Sequence, residues 1–123
     1  MEWSRNRSIV SQAYSPLGGG HLASAKTAGP ALSAIATAHN RSTAEIALRF
    51  IAQNGVAAIP KASSTAYMLE NMDVYDFTLT SDEMRSLGSL ASPMGSHGGV
   101  ADSMSMMCVD HDTGRMARCI YLD

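Results

Sequence analysis

The sequence has few cysteines, few aromatic residues and few charged residues. Among its 123 residues are two cysteines, one tryptophan and two phenylalanines, and charged residues make up 16%. Two cysteines without C-x-x-C spacing, in a chain with no recognisable export signal, exclude a disulfide-rich secreted scaffold. We expect Cys108 and Cys119 to be reduced thiols in a cytoplasmic protein, with a disulfide between them as the alternative.

An excess of one charge and long apolar runs are also lacking. Nine Lys and Arg against eleven Asp and Glu give a formal net charge of -2. The basic residues are scattered rather than gathered on one face, which disfavours nucleic acid and anionic membranes as partners. No apolar run approaches the roughly 18 to 20 residues that a membrane span needs. The N-terminal MEWSRNRSIV lacks the apolar segment of a secretory signal.

Strand and helix patterns alternate over the first 90 residues. Ile9 to Tyr14 suits a strand that SPLGGG ends, and PALSAIATAHN suits a helix from Pro30 that stops at Asn40. The S-x-x-E and T-x-x-E patterns at Ser42 and Thr80 predict capping boxes that open two more helices. Between those two helices lie Gly55, suited to a left-handed helix cap, the strand VAAIP and a helix through AYMLENM. This alternation favours an α/β fold with parallel strands.

The segment AAIPKASS raises the question of a binding site. Pro60 has no N–H for a sheet ladder, so the strand ends there. Lys61, Ser63 and Ser64 follow, and a lysine with hydroxyl groups supplies the charge and donors that suit phosphate oxygens. A solvated strand end is the alternative, and from these residues alone the more frequent one.

The glycine run after the first strand fits a relaxed dinucleotide pattern. Gly18, Gly20 and Ala23 match G-x-G-x-x-A, but HLASAKTAG behind them lacks the apolar face of a Rossmann helix. A flexible glycine loop near a phosphate is the functional interpretation that remains.

Beyond Leu90 the composition becomes rich in Gly, Ser and Met, with little periodicity. We expect residues 1–90 to form one unit and 91–123 an irregular tail. One cluster of metal-ligating residue types in the tail matches no zinc spacing, so no metal site is predicted: Cys108, Asp110, His111 and Asp112.

Three segments in order make the sequence recognisable: AYSPLGGG, ALSAIATAHNRSTAEIALRFIAQNGVAAIPK and IPKASSTAYMLENMDVYDFTLTSDEM. Over about residues 9 to 90 they resemble the C-terminal portion of the aldo-keto reductase family. The resemblance implies a partial (β/α)8 TIM barrel made of the last two strand-helix units, whose strands end in AYSPLG and IPK. Both loops then lie at the C-terminal face, where the active sites of such barrels are found.

The resemblance also implies a cofactor and its contacts. Members of the family usually bind NADP(H) and interconvert carbonyls and alcohols on small substrates. The matching positions are Tyr14 on the nicotinamide; Ser15, Leu17 and Gly18 along the pyrophosphate; Lys61, Ser63 and Ser64 at the 2′-phosphate; and Glu70 and Asn71 at the adenine. Ala62 stands where a serine is common and Tyr67 where an arginine completes the phosphate clamp. Because a guanidinium is a bidentate phosphate partner, we expect a weaker preference for NADPH over NADH.

The family's catalytic Asp, Tyr, Lys and His belong to strands that precede this portion. We therefore interpret the chain as a piece of an NADP-dependent aldo-keto reductase, from a truncated, split or late-started gene, that is inactive alone. Two parallel strands leave exposed edges, which predicts a poorly stable monomer and association with a complementing chain. The alternative is a non-catalytic nucleotide-binding or assembly module.

Overall fold

The computed structural model describes residues 6–7, 9–90, 106–109 and 116–118. Its elements follow in chain order: β1 Ser11–Tyr14, a 3-10 helix Gly18–Ala23, α1 Pro30–His39, α2 Thr43–Gln53, β2 Ala57–Ile59, α3 Thr65–Met72, a 3-10 helix Asp73–Tyr75, α4 Ser81–Ser89, β3 Met106–Val109 and β4 Met116–Arg118. The predicted alternation of strands and helices over the first 90 residues is confirmed. The chain is α/β with a partial sheet.

The two strands predicted from the sequence pair with each other in parallel. In their register, Ala13 lies opposite Ala58 and Tyr14 opposite Ile59. The first strand begins at Ser11 rather than at Ile9. The pairings of β1 with β2 and β3 begin at Gln12 and Ser11, so Ile9 and Val10 lie outside both ladders.

Two further strands lie in the segment that we expected to be irregular. The sheet order is β2-β1-β3-β4, with β3 antiparallel to β1 and β4 antiparallel to β3. Both strands are short, and no alternating pattern in this Met-rich stretch predicted them. Asp110, His111, Asp112 and Cys119 lie outside the described residues.

Residues on one face of β1 are buried and those on its other face are exposed. Ser11 and Ala13 are buried, whereas the next residue of β1, Tyr14, is 58% exposed, and its partner Ile59 is 52% exposed. This is the alternation of a strand with one covered face. The sheet therefore presents an aromatic and an aliphatic side chain to solvent.

The core lies among the helices. Ile46 and Ile51 of α2 are almost completely buried, as are Leu32 of α1 and Leu22 of the first 3-10 helix. Leu22, Leu32 and Ile46 belong to one cluster, which Leu87 of α4 joins. Helix α2 is thus the central element, which explains why it carries the strongest apolar periodicity in the sequence.

Both predicted capping boxes are confirmed. The hydroxyl of Ser42 accepts from the backbone N–H of Glu45, and the carboxylate of Glu45 accepts in return from the N–H of Ser42, at 3.1 and 2.8 Å. Thr80 and Glu83 form the same pair of bonds. Helix α1 ends at Asn40 in a left-handed conformation, and Gly55 has the positive φ of 73° that its cap position was predicted to need.

Glu83 also ties α4 to α1. Its second carboxylate oxygen lies 2.9 Å from His39 Nε2, and the His39 ring packs 5.5 Å from the ring of Phe77. The backbone N–H of Thr80 lowers the pKa of Glu83 below its ordinary value, and the bond to His39 adds to this effect. Glu83 therefore links a helix start to an interhelical contact.

Replacing Glu83 with Gln should flatten the acid side of the stability curve. Because the folded state lowers the pKa of Glu83, its carboxylate stabilises the fold above the pKa that it has in the unfolded chain. That contribution is lost as the pH falls through the folded-state pKa. In urea titrations followed by circular dichroism between about pH 6 and pH 3, the free energy of unfolding should fall less in Glu83→Gln than in the parent chain.

The matched control is Asp82→Asn, which removes the neighbouring carboxylate, one that is 87% exposed. It should keep the parent's pH dependence, because an exposed carboxylate contributes little to stability. Identical slopes for Glu83→Gln and Asp82→Asn would contradict the assignment.

Candidate functional site

A cavity of about 510 Å³ opens where β1 and β2 end. Its wall consists of Ser15, Pro16, Leu17, Gly19, Gly20, Ala23, Ala44, Pro60, Lys61, Ser63, Tyr67, Glu70 and Asn71. These residues come from the loop after β1, the first turn of α2, and the chain from the end of β2 into α3. The volume lies within the range of roughly 300 to 1,000 Å³ that is typical of small-molecule sites.

Most of the residues predicted to form a site meet at this cavity. The residues that line it are Ser15, Leu17, Lys61, Ser63, Glu70 and Asn71. Three others do not belong to the wall: Tyr14, Gly18 and Ser64. Tyr14 ends β1 next to Ser15, and the Gly18 N–H donates to the carbonyl of Ser15 at 2.9 Å, closing the turn.

The loop after β1 is shaped by residues with positive φ. Ser15 has φ 49°, and Pro16 behind it is buried. Gly19 and Gly20 have φ of 65° and 99°, and a Cβ built on either would meet nothing within 4 Å. The space beside them is open, so an elongated ligand can approach the backbone closely. No α-helix follows directly, since the glycines run into a 3-10 helix, in agreement with the rejection of a Rossmann arrangement.

The loop after β2 supplies the charge. Pro60 follows the last residue of β2, as predicted, and the side chain of Lys61 is exposed beyond it. Ser64 is the N-cap of α3, where its hydroxyl accepts from the Tyr67 N–H at 3.3 Å. Ser64 is thus a helix cap, and Ser63 is the serine of this loop that lines the cavity.

Two helices begin at the cavity wall. Ala44 lies in the first turn of α2 and Tyr67 in the first turn of α3. The N-terminus of a helix carries free N–H groups and partial positive charge, which favour an anion. With Lys61 in the same wall, this end of the cavity is suited to phosphate, whereas Glu70 places one carboxylate farther along.

Sequence reasoning missed part of the wall. It did not single out Ala44, although the capping box at Ser42 marked a helix start two residues earlier. Pro16 was considered only as a strand breaker and Gly19 only as one of a glycine run. These residues come together because β1 and β2 pair in parallel. No local sequence pattern predicts that pairing directly.

Other kinds of site find no support in the described ranges. No group of three or more His, Cys, Asp or Glu residues in the described part of the chain is arranged to hold a metal ion. None of the helices between residues 9 and 90 is long and apolar enough to cross a membrane.

Comparison with known proteins identifies the family. The model of the Aldo/keto reductase family matches residues 1–92. The chain belongs to this family. It is 44% identical over 82 residues to an aldo-keto reductase of Mycolicibacterium vanbaalenii, covering 67% of this chain and 28% of that protein. It is 40% identical over 86 residues to aldose reductase B of Dictyostelium discoideum, covering 68% and 26%.

A solved structure is also similar to most of this chain. The crystal structure of a Gox0644 mutant in complex with NADPH superposes with a TM-score of 0.68 at 29% identity, covering 82% of this chain and 36% of that one. The family resemblance deduced from the loop segments is therefore confirmed. The chain spans only about a quarter to a third of the length of these relatives.

The glycine loop can be tested against a glycine outside the site. Gly20→Ala should lower the free energy of unfolding by about 1 kcal/mol, because alanine is strained at a φ of 99°. Gly88→Ala, in helix α4 with open space around the new methyl group, should raise it by about 0.5 to 1 kcal/mol. Urea titrations of both variants give the two signs. Equal changes in the free energy of unfolding would show that the backbone conformation at Gly20 and Gly88 does not determine the effect of alanine.

Proposed function

We propose that this chain is the NADP(H)-binding portion of an aldo/keto reductase barrel. Carbonyl and alcohol groups of small substrates are interconverted when the other strand-helix units complete the barrel. The observation that carries the proposal is the parallel pairing of β1 and β2 with Tyr14 opposite Ile59. It brings the loop that follows each strand to one edge of the sheet, around one cavity.

The residues of this cavity fit the dinucleotide. Lys61 and the Ser63 hydroxyl offer charge and a donor to the 2′-phosphate, and the open backbone at Gly19 and Gly20 accommodates the pyrophosphate. Glu70 and Asn71 offer an acceptor and an amide to the adenine. NADP(H), when bound, supplies hydride transfer at its nicotinamide. The exposed ring of Tyr14 provides an aromatic face at the end of β1 for that ring.

Activity requires more of the barrel than this chain provides. The segment that matches this chain makes up only 28% and 26% of two relatives, and the family's catalytic residues match positions outside it. The exposed face of Tyr14 and Ile59 supports the same conclusion, because side chains on that face point into the interior of a closed barrel. A chain that carries the other units is the partner we expect.

One observation favours a second function. Six of the predicted cofactor contacts line one cavity within this chain, so the chain carries a candidate nucleotide site of its own. A non-catalytic nucleotide-binding or assembly module therefore stays as the alternative. Calorimetric binding of NADPH without oxidation of NADPH by p-nitrobenzaldehyde, in a preparation that forms a stable oligomer, would favour the module.

Lys61→Ala tests the phosphate contact. Loss of a charge-assisted contact worth about 1.5 kcal/mol or more should weaken NADPH binding by about ten-fold or more, while NADH binding stays unchanged. Isothermal titration calorimetry on the full chain measures both. Lys26→Ala, which removes an exposed lysine outside the cavity wall, is the matched control. An equal loss for NADPH and NADH would contradict the assignment of Lys61 to the 2′-phosphate.

Tyr67→Arg tests the cofactor preference. Tyr67 lines the cavity and is 56% exposed, so an arginine fits there without a change in the core. A guanidinium gives bidentate contacts to phosphate, and NADPH should bind about ten-fold more tightly, with NADH unaffected. Tyr67→Phe, which keeps the ring, should leave the ratio of the two affinities unchanged. An unaltered ratio in Tyr67→Arg would mean that this position lies away from the phosphate.

A further inference from the structure

Strand β1 has two neighbours that run in opposite directions. On one side β2 is parallel to it. On the other side β3 is antiparallel, with Ser11 opposite Cys108 and Ala13 opposite Met106. The segment that contains β3 and β4 lies beyond residue 92, where the match to the family model ends. A part of the chain outside the family portion therefore pairs with a strand inside it.

The edge that β3 occupies is needed for barrel closure. In a closed barrel of parallel strands, each strand pairs with a parallel neighbour on both sides. Because β2 occupies one side of β1, the other neighbouring strand of the barrel must pair with β1 on its opposite side. That position is filled by β3, which runs in the wrong direction for the barrel. The backbone groups of β1 cannot bond both strands at once.

We propose that the β3–β4 hairpin is an intrachain cap on β1, which competes with a polypeptide carrying the other barrel strands. The proposal rests on the proposed function, because that function defines the partner. The cap satisfies the backbone groups on one edge of β1, an edge that would otherwise pair with other chains. It must be displaced before the barrel can close.

The covalent connection gives the cap its advantage. Residues 91–105 join it covalently to the rest of the chain, and a tether of this length holds it at an effective concentration on the order of mM. A partner at about 1 μM therefore needs roughly 1,000-fold stronger pairing to displace half of the caps. The edge of β2 away from β1 carries no strand among the described residues, so the capping is one-sided.

Proline substitutions in the full chain test the cap. Neighbouring N–H groups of a strand point to opposite sides, so Met106→Pro with Met107→Pro removes one bond to β1 whichever way the strand is turned. The matched control is Met106→Val with Met107→Val, which keeps both N–H groups and suits a strand. Amide hydrogen exchange at those of residues 11–14 whose N–H groups point to β3 should be at least about ten-fold faster in the proline variant than in the valine variant. Equal exchange would overturn the cap.

The competition has its own measurement. The partner probe is the Mycolicibacterium vanbaalenii aldo-keto reductase without the 82-residue segment that matches this chain. Its apparent Kd should be at least about ten-fold lower for the proline variant than for the valine variant. The same Kd for both, or no binding to either, would overturn the competition.

Failure of this proposal can be distinguished from failure of the proposed function. NADPH titration of the parent chain tests the nucleotide site without reference to β3. If NADPH binds normally and amide hydrogen exchange at β1 is unchanged in the proline variant, the cap is rejected and the nucleotide site is supported. Faster exchange in the proline variant with no NADPH binding supports the cap and rejects the site.

Discussion

The parallel pairing of Tyr14 with Ile59 is the contact on which the site depends. It fixes where two loops leave the sheet, and every residue of the cavity wall except Ala44 lies in one of those loops or in the helix that follows it. A shift of one residue in this register would exchange the buried Ala13 with the exposed Tyr14. Helix α2, whose apolar face is buried in the core, connects to β2 through the turn at Gly55 and so holds that register.

Helix boundaries were predictable because their causes are local. The capping boxes at Ser42 and Thr80 need only two side chains three positions apart, and a left-handed residue ends a helix wherever it occurs. Strand partners were less predictable. The start of β1 and the whole of β3 and β4 depend on which backbone groups find a partner, and the Met-rich stretch has no periodicity that states it.

The candidate site was predictable where residue chemistry carried the information. Before any resemblance was considered, Lys61 after Pro60 raised the possibility of an anion site, with a solvated strand end as the more frequent alternative. The family resemblance supplied Ser15, Leu17, Glu70 and Asn71, which also line the cavity. Which of Ser63 and Ser64 caps α3 and which lines the cavity was not predictable. Only the geometry of α3 assigns Ser64 to the helix cap and leaves Ser63 at the cavity. Ala44 was missed because its neighbours in the wall are distant in sequence.

The exposed sheet face has a thermodynamic consequence for joining the rest of a barrel. Covering Tyr14 and Ile59 removes apolar surface from water, which gives association a negative heat-capacity change. Near room temperature such burial is driven by the entropy of water and weakens on cooling. The proposed association of this chain with a chain that carries the other strands is therefore expected to be cold-sensitive. Its dissociation constant should rise as the temperature falls below room temperature.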